Sequence, residues 1–303
     1  METSTSWTGV GTALVTPFKK NGAIDEALYR ALARRQVDAG VHILVPCGTT
    51  GEAPTLTLAE KRTLVEIAIQ ESESGRRALV LAGAGGYDTR EVCHAVAEME
   101  KIGANGILSV TPYYNRPTQE GLFQHYRAIA ESTSLPIILY NVPGRTGCNI
   151  EPATVLRLSA IDNIVGVKEA SGNISQIAEI CRIVPREFVV LSGDDVLTLP
   201  LMALGGRGII SVASNEAPEA MVQLVAAIER GDLATAQALN RRLMPLMQVN
   251  FVESSPGPVK FAMAEMGLCE AHYRLPMVPI TDASKAKVLA VLESLEMKGH
   301  AVS

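Results

Sequence analysis

The sequence predicts an α/β fold, a (β/α)8 TIM barrel with a small C-terminal helical appendage. Eight short apolar runs recur between Val10 and Val212. They are near-continuously apolar rather than alternating, as strands covered on both faces are. Segments of helical periodicity separate them, which makes the strands parallel and allows the sheet to close.

The strands are read at Val10–Val15, Ile43–Val45, Ala78–Leu81, Gly106–Val110, Ile137–Tyr140, Ile164–Lys168, Phe188–Leu191 and Gly208–Val212. Between them, Leu58–Gln70 carries Leu64, Ile67 and Ala68 on one helical face. It opens on Thr57-Leu58-Ala59-Glu60, a capping box in which the first and last residues satisfy each other's backbone N–H groups. A second helix runs from Asp88, with Glu91 three residues on, to Met99. A third begins at Glu151-Pro152, where proline suits the first turn. Asn173–Val184 and Asp195–Leu204 complete the set. A doubly wound sheet is the competing architecture, but its first strand usually leads into a glycine-rich dinucleotide loop. Val15-Thr16-Pro17-Phe18 offers no such loop. Beyond residue 230 the strand signals stop, and Leu233–Met247, Pro258–Met266 and Asp282–Met297 read as helices. The predicted division is a catalytic barrel over residues 1–230 and a helical region over 231–303. No linker-like stretch separates them, so the second is expected to pack on the first.

Composition narrows the functional classes. The 303 residues are 47% hydrophobic and 19% charged, enough apolar material for one large core. The net charge is -5 and no basic stripe is present, which argues against a nucleic-acid partner. Met1–Ser6 lacks the basic start and apolar stretch of a signal peptide, and no run approaches the roughly 18 apolar residues of a membrane helix. The cysteines Cys47, Cys93, Cys148, Cys181 and Cys269 are odd in number and scattered, as free thiols of a reducing cytoplasm are. The five histidines show no metal-ligand spacing, so no metal site is expected.

In such a barrel the chemistry gathers at the C-terminal ends of the strands. Lys168 ends the sixth run, just before Glu169-Ala170-Ser171-Gly172. In isolation it reads more readily as a lysine whose head snorkels to water. Burial, however, disfavours an ammonium, and a neutral amine beside a carbonyl compound forms a Schiff base. Tyr140 ends the fifth run, and consecutive strands are neighbours, so a phenol shares that mouth and can act as acid and base. Three of the seven tyrosines, Tyr113, Tyr114 and Tyr140, lie at strand ends, which weighs toward function over packing. Arg145 follows in a glycine-flanked loop; it can grip a carboxylate with two hydrogen bonds, or be an ordinary surface arginine. Gly48-Thr49-Thr50-Gly51-Glu52, after the second strand, can converge N–H groups and two hydroxyls on an anion, or simply make a strand-to-helix turn. Asp194 or Asp195 is expected as a helix N-cap rather than a magnesium ligand. Gly205-Gly206-Arg207-Gly208 is built like a phosphate loop but precedes the eighth strand, on the face opposite the mouth, and is set aside.

With these residues in place, the chain resembles the dihydrodipicolinate synthase family, within the pyruvate-dependent class I aldolase superfamily of N-acetylneuraminate lyase. The resemblance runs from about Gly9 to the last helix and includes Thr111–Gln119, Leu139–Gly147, Val167–Asn173 and Pro258-Val259-Lys260-Phe261-Ala262. The Gly-Thr-Thr-Gly-Glu run and the lysine strand mark the superfamily; the run from Tyr140 through Arg145 to Gly147 is the more specific mark of the synthase. The resemblance implies a lyase that condenses pyruvate with L-aspartate 4-semialdehyde to 4-hydroxy-tetrahydrodipicolinate in lysine (diaminopimelate) biosynthesis. It implies that Lys168 forms the imine with pyruvate, that Tyr140 moves protons, and that Thr49 links Tyr140 to a Tyr114 supplied by the neighbouring subunit. It further implies that Thr50 binds the pyruvate carboxylate, that Arg145 holds the semialdehyde, and that the backbones of Gly193 and Ile210 line the pocket. No metal or organic cofactor is implied, only the covalent imine on Lys168. The implied assembly is a cytoplasmic homo-oligomer, at least a dimer and, as a dimer of dimers, a homotetramer, away from membranes and nucleic acids.

The chain departs from the feedback-regulated members of that family. Glu91 and Tyr113 match the site where those enzymes bind lysine, whereas Ala53, Leu58, Lys61 and Tyr87 stand where they carry other side chains. Leu58 cannot hydrogen-bond and Lys61 repels a cationic effector, so weak or absent inhibition by lysine is expected. Ser254-Ser255-Pro256-Gly257-Pro258 is also altered from the usual run. Two other functions stand beside the synthase: another pyruvate-dependent aldolase or hydratase-aldolase acting on a sugar-acid or aromatic aldehyde, and a catalytically silent barrel with a binding role. The arginine loop argues against the first, and the joint presence of Lys168, Tyr140, Thr49 and Tyr114 against the second.

Overall fold

Eight parallel strands pair in chain order, and the last closes on the first. They are β1 Gly9–Ala13, β2 Ile43–Val45, β3 Leu79–Gly83, β4 Gly106–Val110, β5 Ile137–Asn141, β6 Ile164–Glu169, β7 Val189–Ser192 and β8 Gly208–Ser211. This architecture is that of a computed structural model, which describes residues 7–74 and 78–297. The Met1–Ser6 run read above for a signal peptide lies outside the described residues. The eight strands fall where the apolar runs place them, with ends moved by one or two residues. At β1 the ladder stops early because the Val15 N–H donates to the Asn215 side chain rather than to a neighbouring strand.

The alternation hidden in those runs becomes visible as two apolar layers. Ile43, Val45, Leu81, Leu108, Ile138, Tyr140, Leu191 and Ile210 fill the barrel interior, with Trp7 in the same cluster. Leu44, Val80, Ala82, Ile107, Ile137, Leu139, Val167 and Val190 face outward against the helices. Both faces exclude water, so neither carries a polar period. Trp7 closes the N-terminal end of the barrel: a Cβ at Gly106 would stand 2.7 Å from its ring, and glycine alone leaves that space.

The helices are α1 Glu26–Asp38, α2 Leu58–Glu73, α3 Thr89–Lys101, α4 Gln119–Glu131, α5 Pro143–Thr146, α6 Pro152–Leu158, α7 Ile174–Ile183, α8 Thr198–Ala203, α9 Pro218–Glu229, α10 Leu233–Val249, α11 Gly257–Glu265 and α12 Asp282–Ser294. The capping box at Thr57 and Glu60 forms as read. Asp88 caps α3 and Asp194 caps the turn after β7. The sequence reading passed over α1, α4 and α9, although Asp25 and Thr118 cap the first two and Pro218 opens the third. The helix expected over Asp195–Leu204 is corrected to a 3-10 turn, Asp195–Leu197, followed by α8. Asp195 is drawn away toward β8, where its carboxylate accepts from the Ser211 hydroxyl and from the N–H groups of Val212 and Ala213.

The C-terminal helices lie against the barrel. Val10 of β1 and Ile209 of β8 share one apolar cluster with Ala236, Leu243, Leu246, Val288 and Leu292 of α10 and α12. On α11, Lys260 is wholly buried. Its ammonium donates all three hydrogens, to Glu52 Oε1 at 2.6 Å, the Thr16 carbonyl at 2.9 Å and the His272 carbonyl at 2.7 Å. The same ammonium stands 4.4 Å from the Phe18 ring centre. Burial pulls it below its ordinary pKa while Glu52 opposes the shift. Removing one member of a buried ion pair strands the other charge, which costs about 3–5 kcal/mol. Lys260→Met is therefore expected to lose about that much stability, and Glu52→Gln added to it to restore part of the loss. Equilibrium urea unfolding checks both, and a single variant as stable as the wild type would contradict the assignment.

Candidate active site

Tyr140 and Lys168 are register partners across β5 and β6. Because side chains alternate along a strand, partners in a parallel ladder point the same way, and both enter the barrel interior near its C-terminal end. They are 6% and 5% exposed. The Lys168 Nζ lies 4.1 Å from the centre of the Tyr140 ring. Among the described residues no carboxylate pairs with this amine, so its place is fixed by packing. Gly193, just past β7, creates the room: a Cβ there would stand 2.9 Å from Lys168 Cε and 2.7 Å from Ala170 Cβ. The Gly193 N–H donates to the Glu169 carbonyl at 2.8 Å, which fixes that backbone beside the lysine strand. Ile210 on β8 is fully buried in the interior cluster that holds Tyr140.

The loop after β2 contributes donors. Cys47 and Glu52 adopt left-handed backbone, φ 59° and 55°, which folds the chain tightly around Gly48–Gly51. Inside the turn, the N–H groups of Gly51 and Ala53 both donate to the Gly48 carbonyl. The amides of Thr49 and Thr50 donate to no acceptor among the described residues, and the Thr50 side chain is buried. Two free amides and two hydroxyls suit a carboxylate. The contrast with Gly205-Gly206-Arg207 is direct. There each N–H is taken, by the carbonyls of Met202, Leu201 and Val190, so no donor remains for a phosphate.

Thr49, Tyr140, Val142, Arg145 and Cys47 line a cavity of about 250 Å³. Tyr140, Val142 and Arg145 also line a second, of about 340 Å³, together with Gly193, Ala170 and Phe251. These three residues are thus a shared wall. Arg145 sits on the one-turn helix α5, ended by Gly147 at φ 69°, and is exposed apart from a hydrogen bond from its Nη2 to the Ser255 carbonyl at 3.3 Å. Cys47 is no nucleophile: burial pushes its thiol up to about 12, and the thiolate is the reactive form. Tyr114 is not brought to Thr49 or Tyr140 within the chain. It is 92% exposed, held outward by a backbone φ of 74°.

Sequence reasoning missed the residues that hold this arrangement. Asn141 and Glu169 follow Tyr140 and Lys168 and so face the other way. Asn141 Nδ2 donates to Glu169 Oε2 at 3.0 Å and to Asn149 Oδ1 at 2.9 Å, its Oδ1 accepts from the Ile150 N–H, and Glu169 Oε1 accepts from the Ser171 N–H at 2.6 Å. The network ties the two strand tips and the loops beyond them. The parallel Tyr-Asn and Lys-Glu endings were a readable signal. The partner of Lys260, 208 residues away in sequence, had none. Among the described residues, no group of three or more His, Cys, Asp or Glu is placed to hold a metal ion, all five cysteines are free, and no helix is long and apolar enough to cross a membrane.

Comparisons with known proteins converge on one family. The family model described as the dihydrodipicolinate synthetase family matches residues 6–295. A 4-hydroxy-tetrahydrodipicolinate synthase of Koribacter versatilis is 49% identical over 281 residues, 92% of this chain and 93% of that one. A crystal structure of dihydrodipicolinate synthase from Thermotoga maritima superposes with a TM-score of 0.93 at 44% identity, over 96% of this chain and 99% of the other. A further solved relative, also 44% identical with a TM-score of 0.93 over 96% and 97% of the two chains, is described as the first monomeric dihydrodipicolinate synthase variant. The chain belongs to the dihydrodipicolinate synthetase family.

Proposed function

We propose that this chain is a 4-hydroxy-tetrahydrodipicolinate synthase, a class I aldolase-type lyase of lysine biosynthesis that condenses pyruvate with L-aspartate 4-semialdehyde. The observation that carries the reading is the pairing of Tyr140 and Lys168 at adjacent strand tips, with Gly193 leaving the lysine its space. The Lys168 amine attacks the ketone carbon of pyruvate, and loss of water gives the iminium. Removal of a methyl proton gives the enamine, which attacks the aldehyde carbon of the second substrate. The amine of that substrate then adds to the iminium carbon and expels Lys168 as the ring closes. The covalent imine is itself the electron sink, so the chemistry calls for no metal or organic cofactor.

Tyr140 is the proton carrier for imine formation and the aldol step, and Thr49, on the same cavity wall, is its relay partner. The partner subunit's Tyr114 completes the relay. Its outward projection in this chain supports that reading, and the active unit is then at least a dimer, in a cytoplasmic dimer of dimers. Thr50 and the free amides of its loop receive the pyruvate carboxylate. The backbones of Gly193 and Ile210 line the pyruvate side. Arg145, between the two cavities, receives the carboxylate of the semialdehyde.

Three measurements test the proposal. Borohydride reduction in the presence of pyruvate should add one pyruvyl-derived mass to Lys168, and Lys168→Ala should remove it; an unmodified wild-type lysine would end the aldolase reading. Arg145→Ala should leave that adduct intact. Loss of a charge-assisted grip worth about 1.5–3 kcal/mol should lower kcat/KM for the semialdehyde by about 10- to 150-fold. Unchanged semialdehyde kinetics would remove the arginine from the site. Leu58, Lys61, Tyr87, Glu91 and Tyr113 line one cavity of about 270 Å³, and Lys61 places a positive charge in it. L-Lysine should therefore inhibit weakly or not at all in a steady-state assay, whereas half-maximal inhibition at submillimolar lysine would contradict this.

A further inference from the structure

Glu216 follows the short turn at the end of β8 and is 1% exposed. Asn250, which ends α10, is fully buried beside it, and its Nδ2 donates to Glu216 Oε2. The remaining oxygens of the two groups, Glu216 Oε1 and Asn250 Oδ1, are both buried and without a hydrogen-bond partner among the described residues. Two orphaned acceptors in one buried pair are costly, because each has lost its water and gained no partner. A single proton on Glu216 Oε1 removes both: Oε1 becomes a donor, Oδ1 its acceptor, and a carboxylic acid and a carboxamide close a ring of two hydrogen bonds. We propose that Glu216 is a neutral carboxylic acid held in this cyclic pair with Asn250, and that the pair positions the chain segment on which Arg145 rests.

The charges around the site favour the neutral acid. Asp195, in the turn after β7, adds negative charge. Arg35 of α1 opposes it, but its Nη1 and Nη2 donate to the backbone carbonyls of Asn215 and Glu216, and it also feels Glu219 of α9. Lys260 of α11, the helix packed on the same turn, is committed to Glu52. Burial holds the Glu216 carboxyl well above its usual range, more than the Asn250 hydrogen bond and Arg35 pull it down. The link to the site runs along five residues. Asn250 precedes Phe251, a wall of the cavity that Arg145 and Gly193 also line. Ser255 then presents its carbonyl to Arg145 Nη2. The Thr281 N–H and hydroxyl donate to Glu253 and hold the middle of the same segment.

A folded-state pKa raised above the unfolded value of about 4.3 means that the folded form keeps a proton the unfolded form loses. The contribution is complete below pH 4.3 and is lost as pH rises toward the folded value. Glu216→Gln can make the same two hydrogen bonds and has no proton to lose. Its Tm relative to wild type should therefore climb steadily as pH is raised above about 4.3, and infrared difference spectra of wild type minus Glu216→Gln should show a protonated carboxyl C=O band at neutral pH. A Tm difference independent of pH, or a carboxylate band instead, would overturn the neutral acid. The positioning half rests on the reading of Arg145 above. Asn250→Ala, or the milder Asn250→Ser if the first does not fold, should raise KM for aspartate semialdehyde about fivefold while leaving the rate of pyruvate adduct formation on Lys168 unchanged, and Glu216→Gln should leave both unchanged. Equal loss for both substrates, or no loss for either, would overturn positioning. The Tm and infrared readouts need no substrate, so they stand or fall apart from the proposed activity.

Discussion

The ammonium of Lys260, buried in α11 and bonded to Glu52, is the constraint on which the mouth of the barrel depends. Glu52 closes the turn that carries Thr49 and Thr50, and its own backbone is left-handed. A chain in that conformation pays a steric penalty unless its surroundings insist on it. Here they do: one carboxylate oxygen is fixed by Lys260, the other accepts from the Arg274 N–H, and Thr16 Oγ1 donates to the carbonyl of Gly51. The helical C-terminal region is therefore part of the site's scaffold. The turn whose Thr49 and Thr50 amides meet no acceptor among the described residues is thus held at Glu52 by the C-terminal region and at Gly51 by Thr16.

A second constraint works through period two. Tyr140 and Lys168 point inward as register partners, so Asn141 and Glu169 point outward as register partners too. The outward pair forms the hydrogen-bonded network that ties both strand tips, while the side chains of the inward pair make no hydrogen bond among the described residues and are placed by Gly193 and by the contact of Lys168 with the Tyr140 ring. Separation of this kind is what nucleophilic catalysis asks of a fold: an amine anchored by a salt bridge would have to break it before attacking. The fold holds the strand firmly and leaves the amine without an ion-pair partner among the described residues.

The legible parts of this protein in its sequence are those with local causes. The eight strands were readable because each run is apolar on both faces, and the box at Thr57 and Glu60 because it spans one turn. Lys168 and Tyr140 were readable because strand order in a barrel turns adjacency in sequence into adjacency in space. What was not legible depends on distance or competition. The helices α1, α4 and α9 were overlooked although they carry the same kind of cap or proline signals as those that were read. Asp195 looked like a helix residue and is instead taken by Ser211 and two amides of the next strand end. No local pattern could reveal that Lys260 faces Glu52, or that Glu216 faces Asn250.

The two substrates meet parts of the structure with different rigidity, and this follows from what each must do. On the proposed assignment pyruvate becomes covalently attached, and its site consists of strand tips, a buried threonine turn and Gly193, where an added Cβ would stand 2.9 Å from Lys168 Cε. Small displacements there would misplace a bond-forming carbon, and about 7–11 kcal/mol of catalytic advantage can reside in such placement. On the same proposal the aldehyde enters, reacts and leaves as product, and the arginine assigned to it sits on a four-residue helix, exposed, with one side-chain hydrogen bond at 3.3 Å to a carbonyl. The side chain of that arm leans on the segment after α10, while its backbone stays bonded to Val142 at the tip of β5 and, through Thr146, to Thr111 beyond β4. Anchoring that segment with a buried acid–amide pair keeps the arm's resting position defined while leaving the arginine itself free to move onto a carboxylate.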